Sequence, residues 1–547
     1  MKGSDLLVRC LENEGVEYIF GLPGEEILDV MDSLSRSSIR FVTVRHEQGA
    51  AFMADVYGRL TGRAGVCLAT LGPGATNLIT GVADAFLDRA PMVAITGQAP
   101  RERTHKESHQ FIPIVDLFRP ITKWNTQIED PSVIPEVVRK AFKVSQLEKP
   151  GPTHLELTED VAQAEAPPEA CQPLPTTRVE YSSPNWSAVE RAVHILSRAK
   201  NPMILAGNGV LRRRASPELA WMARSWQVPV AHTFMGKGVL DYRDPLCLLS
   251  IGLQAKDWVM CQFDQADVVV AVGYDMAEYA PRLWNPGRNK TIIHIDSTPA
   301  EVDDHYQPAV ELVCDIPQAL RALARATAPR PSFDGPSQLK DIVRDELQSS
   351  ASDNGFPVKP QRAISDLRQA LGEDDIVLSD VGAHKLWLAR MYPTYKPNTI
   401  LIPNGLASMG FAVPGAVAAK LVHPDRKVVV VTGDGGFLMN SQELETAKRL
   451  GTAFVTIIWV DNSYGVIEWK QQNRFGHDFG VRFGNPDFVQ YARSFGLPGF
   501  KIESADAFLP TLRRALELDL PSIIEMPVDY RENLRLTERL GHLVCPV

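Results

Sequence analysis

Two acidic residues stand 27 positions apart, each where a strand is predicted to end. Residues 427–437 read KVVVVTGDGGF, a β-branched run that leaves into Gly433-Asp434-Gly435-Gly436. A helical stretch over residues 441–450 follows. A second run, AFVTIIWV, then ends in Asp461-Asn462-Ser463-Tyr464-Gly465. In open α/β sheets, ligands bind beyond the carboxyl ends of the strands. Glycines there let the backbone approach a phosphate, and carboxylates hold a hard cation that bridges to it. The spacing points to a Mg²⁺–diphosphate site on Asp434 and Asp461. A lone GDGG exit is common in α/β proteins; the second acidic exit gives it weight.

Other polar residues are weaker on their own. Residues 40–47, RFVTVRHE, alternate like a strand that ends on Glu47. A Gly72-Pro73-Gly74 turn follows, with Asn77 opening a helix. A single glutamate at a strand end is ordinarily solvated or ion-paired. His105 and His109 stand four apart, but HKESH lacks the HExxH order and has no third ligand nearby in sequence, which argues against a metal.

The elements that must position these residues are legible as runs. Residues 66–71, 92–96, 203–206, 268–273, 291–295, 427–432 and 454–460 are short and nearly continuously apolar, and helical patterns separate them. Such strands belong to parallel sheets covered on both faces, so the fold class is α/β with doubly wound parallel sheets. Residues 164–186 and 326–337 are rich in Pro, Ser, Thr and charge and read as linkers. They divide the 547 residues into three domains, 1–165, 187–325 and 356–547.

The net charge of −9 argues against a nucleic-acid-binding surface. No run approaches about 18 apolar residues and no secretory segment opens the chain, so a cytoplasmic protein without a membrane span is expected. Seven widely spaced cysteines with no CxxC pair fit free thiols in a reducing compartment.

Taken together, RHE at Glu47, GPGATN over residues 72–77 and GDG with DN at residues 433–462 resemble the thiamine-diphosphate enzyme family. The resemblance covers essentially the whole chain. Segments such as FGLPGEEILDVMDSL, DVGAHKLWLAR and NGLASMGFAVPGAVAAK are similar to the acetolactate synthase large-subunit group. It implies a pyrimidine-binding domain first, a Rossmann-like central domain, and a diphosphate- and Mg²⁺-binding domain last.

The resemblance also implies roles. Glu47 would hydrogen-bond N1′ of the cofactor's aminopyrimidine and relay the proton whose loss activates the thiazolium. Met409 would sit under the ring junction, and the Ala407 carbonyl would accept from the 4′-amino group. The diphosphate would be held at Val381-Gly382-Ala383-His384, at Gly433, Gly435 and Gly436, and at Tyr464-Gly465. Asp434, Asp461 and the Ser463 carbonyl would hold the metal. Many relatives carry Asn-Asn where this chain has Asp461-Asn462, and a shift of one residue would select Asn462; the interval favours Asp461. Pro23, Pro73 and Asn77 would line the cofactor. Gln110 and Lys123 would line the approach of substrate.

Two expectations depend on what is missing. Gly207-Asn208-Gly209 and Asp296 lie about 90 residues apart, against about 20 in a dinucleotide fingerprint. The FDDR-type segment that contacts FAD in biosynthetic relatives is replaced by GYDMAEYAPRLWN, so the chain resembles the FAD-free catabolic acetolactate synthases and FAD is not expected. The implied reaction on a 2-oxo acid is decarboxylation followed by carboligation, two pyruvates giving 2-acetolactate and CO₂. The alternative is a non-ligating decarboxylase, for example of 2-oxoglutarate. The paired His-His of pyruvate decarboxylases is absent from the twelve histidines, which favours carboligation. Arg474 and His477 keep a distal carboxylate in view. A non-catalytic, cofactor-storing relative is the third class, and intact Glu47, Asp434 and Met409 speak against it. Active sites between the subunits of a homodimer or homotetramer are implied.

Overall fold

The computed structural model describes residues 1–177, 179–252, 258–326 and 335–533. Each of the three expected blocks builds one six-stranded sheet in which every pairing is parallel.

The first sheet contains β1 (Tyr18–Gly21), β2 (Arg40–Thr43), β3 (Gly65–Ala69), β4 (Met92–Gln98), β5 (Trp124–Ile128) and β6 (Pro152–Thr158), in the order β2-β1-β3-β4-β6-β5. The second contains β7 (Pro202–Ala206), β8 (Val230–His232), β9 (Cys247–Ser250), β10 (Val268–Val272), β11 (Thr291–Asp296) and β12 (Pro308–Val313), ordered β12-β11-β10-β7-β8-β9. The third contains β13 (Ile376–Ser379), β14 (Ile400–Leu401), β15 (Val428–Gly433), β16 (Val455–Val460), β17 (Gly499–Lys501) and β18 (Ser522–Pro527), ordered β14-β13-β15-β16-β18-β17. Central strands such as VVVAV and VVVVTG are buried on both faces, as β-branched runs in parallel sheets require.

The first and third sheets share a core. The helix Glu47–Thr61 packs against both Pro73–Leu87 and Ala412–Val422, and Phe52 meets Phe411 edge to face at 5.6 Å. Beside this seam, Arg59 is buried among Asp55, Asp84 and Asp88. Asp84 then accepts the Ser408 N–H at 3.2 Å, and Asp88 accepts that of Gly405, so the cluster reaches the loop that carries Ala407 and Met409.

Three expectations need correction or restriction. The strand predicted over residues 40–47 stops at Thr43; Glu47 opens a helix, where the partial positive charge of the N-terminus favours a carboxylate. Asn77 likewise lies one turn inside the helix Pro73–Leu87, which starts at the proline. In the second expected linker, residues 327–334 lie outside the described residues, and the helix Gly335–Ser350 already begins within it. Cys10, Cys67, Cys171, Cys247 and Cys314 are free thiols, while the side chains of Cys261 and Cys545 lie outside the described ones.

Candidate active site

β15 and β16 are neighbours in register Gly433↔Trp459, so Asp434 and Asp461 leave the same edge side by side. Asp434 is buried, and its carboxylate pins the second loop. It accepts the N–H groups of Asn462 (2.8 Å) and Asp461 (3.3 Å) and the amide of Asn485 (2.8 Å). Burial and the adjacent Asp434 push the Asp461 pKa well above the usual carboxylate range. A Cβ at Gly465 would come within 2.5 Å of an Asp461 oxygen and displace that carboxyl. Two neighbouring carboxyls without a cationic side chain between them form a donor set that suits a divalent cation. No group of three or more His, Cys, Asp or Glu that could hold a metal ion is found among the described residues, so the donors would have to include a carbonyl, such as that of Ser463, and ligand oxygens.

The loop after β13 faces this pair. Asp380 is fully buried and accepts N–H groups from Val381 (2.7 Å), Gly410 (2.9 Å) and Ala412 (3.4 Å), tying the 381–384 turn to the loop of Met409. Burial pushes Asp380 up to about 6. His384 is also buried, and burial pulls it down to about 3, so its ring is neutral. Its Nε2 has no hydrogen-bond partner. This unpaired buried ring nitrogen leaves a polar group for a ligand to satisfy, and the amino end of the helix Ala383–Met391 beside it favours an anionic oxygen.

These residues line one cavity of about 270 Å³: Val381 to His384, Met409, Gly433 to Gly436, Asp461, and Ser463 to Gly465. Lys385, not singled out by sequence, lines it too. Its ammonium donates to Asn404 Oδ1 (2.9 Å) and the Pro403 carbonyl (3.2 Å), and burial pulls it down to about 8. Ala407 lies just outside the lining, in the left-handed region at φ 58.

The first sheet gathers a separate group. Glu47 is buried and accepts the Asn77 side-chain N–H at 2.9 Å. The Gly72-Pro73-Gly74 turn lies between them and Gln110, and Pro23 follows β1 at the same edge. None of these residues lines the cavity on the third sheet within one chain.

Lys123 joins neither group. It precedes β5, at the amino end of a parallel sheet whose other candidates stand at carboxyl ends. Its ammonium donates to the Val144 and Leu147 carbonyls, both at 2.6 Å, at the carboxyl end of the helix Ile134–Gln146. That is a helix-end cap favoured by the helix dipole. Arg474 and His477 are exposed and make only local contacts with Phe475. Asn485 carries no signal in the sequence; its contact with Asp434 spans 51 positions. Asp380 had a signal, an acidic strand exit like that of Asp434.

With this geometry in view, comparisons place the chain. Residues 1–117 match the N-terminal TPP binding domain of thiamine pyrophosphate enzymes, residues 189–323 their central domain, and residues 380–526 their C-terminal TPP binding domain. The chain belongs to the thiamine pyrophosphate enzymes, in the acetolactate synthase group. It is 38% identical over 551 residues to the catabolic acetolactate synthase of Raoultella terrigena, covering 98% of this chain and 97% of that protein. It is 36% identical over 542 residues to the acetolactate synthase of Bacillus subtilis (strain 168), covering 98% and 94%. A chloroplastic acetolactate synthase of Nicotiana tabacum is 34% identical over 553 residues, covering 97% and 83%.

Proposed function

We propose that the chain condenses two pyruvates into 2-acetolactate with release of CO₂, using thiamine diphosphate and Mg²⁺. The observation that carries this is the cavity at the ends of β15 and β16, where paired carboxyls, an unpaired histidine nitrogen and Met409 converge. The full-length relatives named acetolactate synthase support it.

Asp434, Asp461 and the Ser463 carbonyl hold the metal. His384 and the amides around Gly435, Gly436 and Tyr464 hold the diphosphate, and Met409 supports the rings. When bound, thiamine diphosphate supplies the electron sink for the pair left by departing CO₂. Glu47, shielded from water and oriented by Asn77, holds and returns the proton at the aminopyrimidine nitrogen. Lys385 offers a buried cation within the cavity for a substrate carboxylate. Arg474 and His477, the residues that would favour the non-ligating reading, do not line the cavity within one chain.

Glu47 and Asp434 must act on one cofactor, yet Glu47 does not line the cavity of its own chain. The site is therefore completed by a second copy, as a homodimer or a dimer of such dimers. Leu438, Met439, Tyr464 and Ile467 are 39%, 43%, 39% and 49% exposed near the cavity, an apolar rim suited to that contact.

FAD is not part of the proposal. The loops after β7 and β10 close on each other, Gly209 N–H donating to the Gly273 carbonyl at 2.9 Å. Arg89 and Lys149 reach Asp275 over the same edge, at 2.7 and 3.6 Å. No described helix is long and apolar enough to cross a membrane, and the free thiols suit a cytoplasmic setting.

The test incubates purified protein, thiamine diphosphate and Mg²⁺ with pyruvate or with 2-oxoglutarate. Acetolactate and CO₂ in equal amounts from pyruvate are expected. Succinic semialdehyde from 2-oxoglutarate without acetolactate from pyruvate would overturn the reading.

A further inference from the structure

The helix Glu443–Leu450 belongs to the third sheet, yet it grips the turn that precedes Glu47. Glu443 is 0% exposed, and its carboxylate accepts the N–H groups of Arg45 and His46, each at 3.1 Å, and the Thr446 hydroxyl at 2.6 Å. Farther along this helix, Arg449 donates to the Thr43 carbonyl at the end of β2. From the other side, Gly49 lies so close that a Cβ would come within 2.8 Å of the same carboxyl. His46, held in this way, caps the helix of Glu47 by accepting the Gln48 N–H at 3.1 Å.

A buried carboxyl is a costly way to fill space, and an apolar residue would pack there at less expense. Burial pushes Glu443 up to about 7, opposed by the Thr446 hydroxyl and the Arg45 and His46 amides. What these bonds achieve is geometric: the carboxyl fixes two successive amides directly ahead of Glu47. We propose that Glu443 is a positioning residue for Glu47, locking the start of its helix so that the Glu47 carboxyl meets the cofactor's ring nitrogen. This rests on the reading of Glu47 given above. Asp434 and Glu443 occupy consecutive helices after β15, so the segment that carries a chain's metal-site carboxyl also holds that chain's Glu47.

The step that Glu47 serves is readable without substrate, as exchange of the C2 proton of bound thiamine diphosphate for deuterium in the full-length protein with Mg²⁺. Glu443→Ala should slow exchange and kcat together by about 10- to 100-fold at saturating cofactor, with KM for pyruvate unchanged. Glu443→Gln keeps an oxygen for the amides and a donor for Thr446, and should restore exchange to within about threefold. Thr446→Val removes one donor to the carboxyl and should slow exchange by about two- to fivefold, which gives a reading even if Glu443→Ala does not fold. A purely structural Glu443 would lower thermal stability or cofactor affinity while exchange at saturation stayed at the wild-type rate, and that result overturns the proposal. Glu47→Gln is the reference. If it exchanges normally, the reading of Glu47 itself falls. If it abolishes exchange while the Glu443 and Thr446 variants leave exchange unchanged, only the positioning role falls.

Discussion

Charge decides the chemistry at the Asp434–Asp461 pair. Like charges about 4 Å apart near a protein surface repel by on the order of 4 kcal/mol, and burial adds to that cost. Asp434 relieves part of it through three N–H donors, whereas Asp461 is left with a raised pKa. The proposed divalent cation would remove the remainder. Asp461→Ala should therefore weaken Mg²⁺-dependent cofactor binding by at least about 10-fold. Asn462→Gly should leave it near wild type, because Asn462 occupies the left-handed region at φ 57, which glycine adopts freely. Metal titration followed by cofactor binding checks both, and the opposite ranking would make Asn462 the ligand. Asp434 and Asp461 were legible because strand exits follow from a local pattern. Lys123 was misplaced because a matched residue type does not say which end of a strand it occupies. Glu443 was illegible because its partners lie 398 and 397 positions away.

Among elements, the loops after β13 and before the helix Ala412–Val422 act as one piece because Asp380 accepts amides from both. Removing that carboxyl leaves buried N–H groups unpaired, at about 1–3 kcal/mol each. Asp380→Ala should accordingly raise the Kd for thiamine diphosphate by roughly 10-fold or more, while kcat at saturating cofactor changes less. An unchanged Kd would show that the loops hold their positions independently. Each of the seven apolar runs read from the sequence became a strand, because burial on both faces leaves a parallel strand few sequence options. The stretch RFVTVRHE read through to Glu47 because alternation persists beyond β2. What ends the strand is the cap formed by His46 and the grip of a distant helix, neither of which periodicity records.

The three sheets become one molecule through buried polar contacts as well as apolar packing. Lys237, in the second unit, is 2% exposed and donates to the Ala389 carbonyl of the third at 2.9 Å. Burial pulls it from its ordinary 10.5 to about 7. Below about pH 7 the folded chain carries the buried charge and its full penalty. Between there and the ordinary lysine value the unfolded chain binds more protons, so this contribution to stability rises with pH. Lys237→Met removes the penalty, and Ala389 keeps the Ser250 hydroxyl at 2.7 Å. The Tm advantage of the variant should be fully present below about pH 7 and close towards about pH 10. An advantage that does not vary with pH would mean that Lys237 is not the titrating group.

At the same scale, the proposed reading has a second copy join the Glu47 group on the first sheet to the cavity on the third. Chains carrying Glu47→Gln and chains carrying Asp434→Asn should each be nearly inactive. When the two are co-assembled at random, half the dimers pair an intact Glu47 from one chain with an intact Asp434 from the other. Acetolactate formation should then recover to about one quarter of wild type. Mixed assemblies that form but stay as inactive as either parent would contradict the shared site.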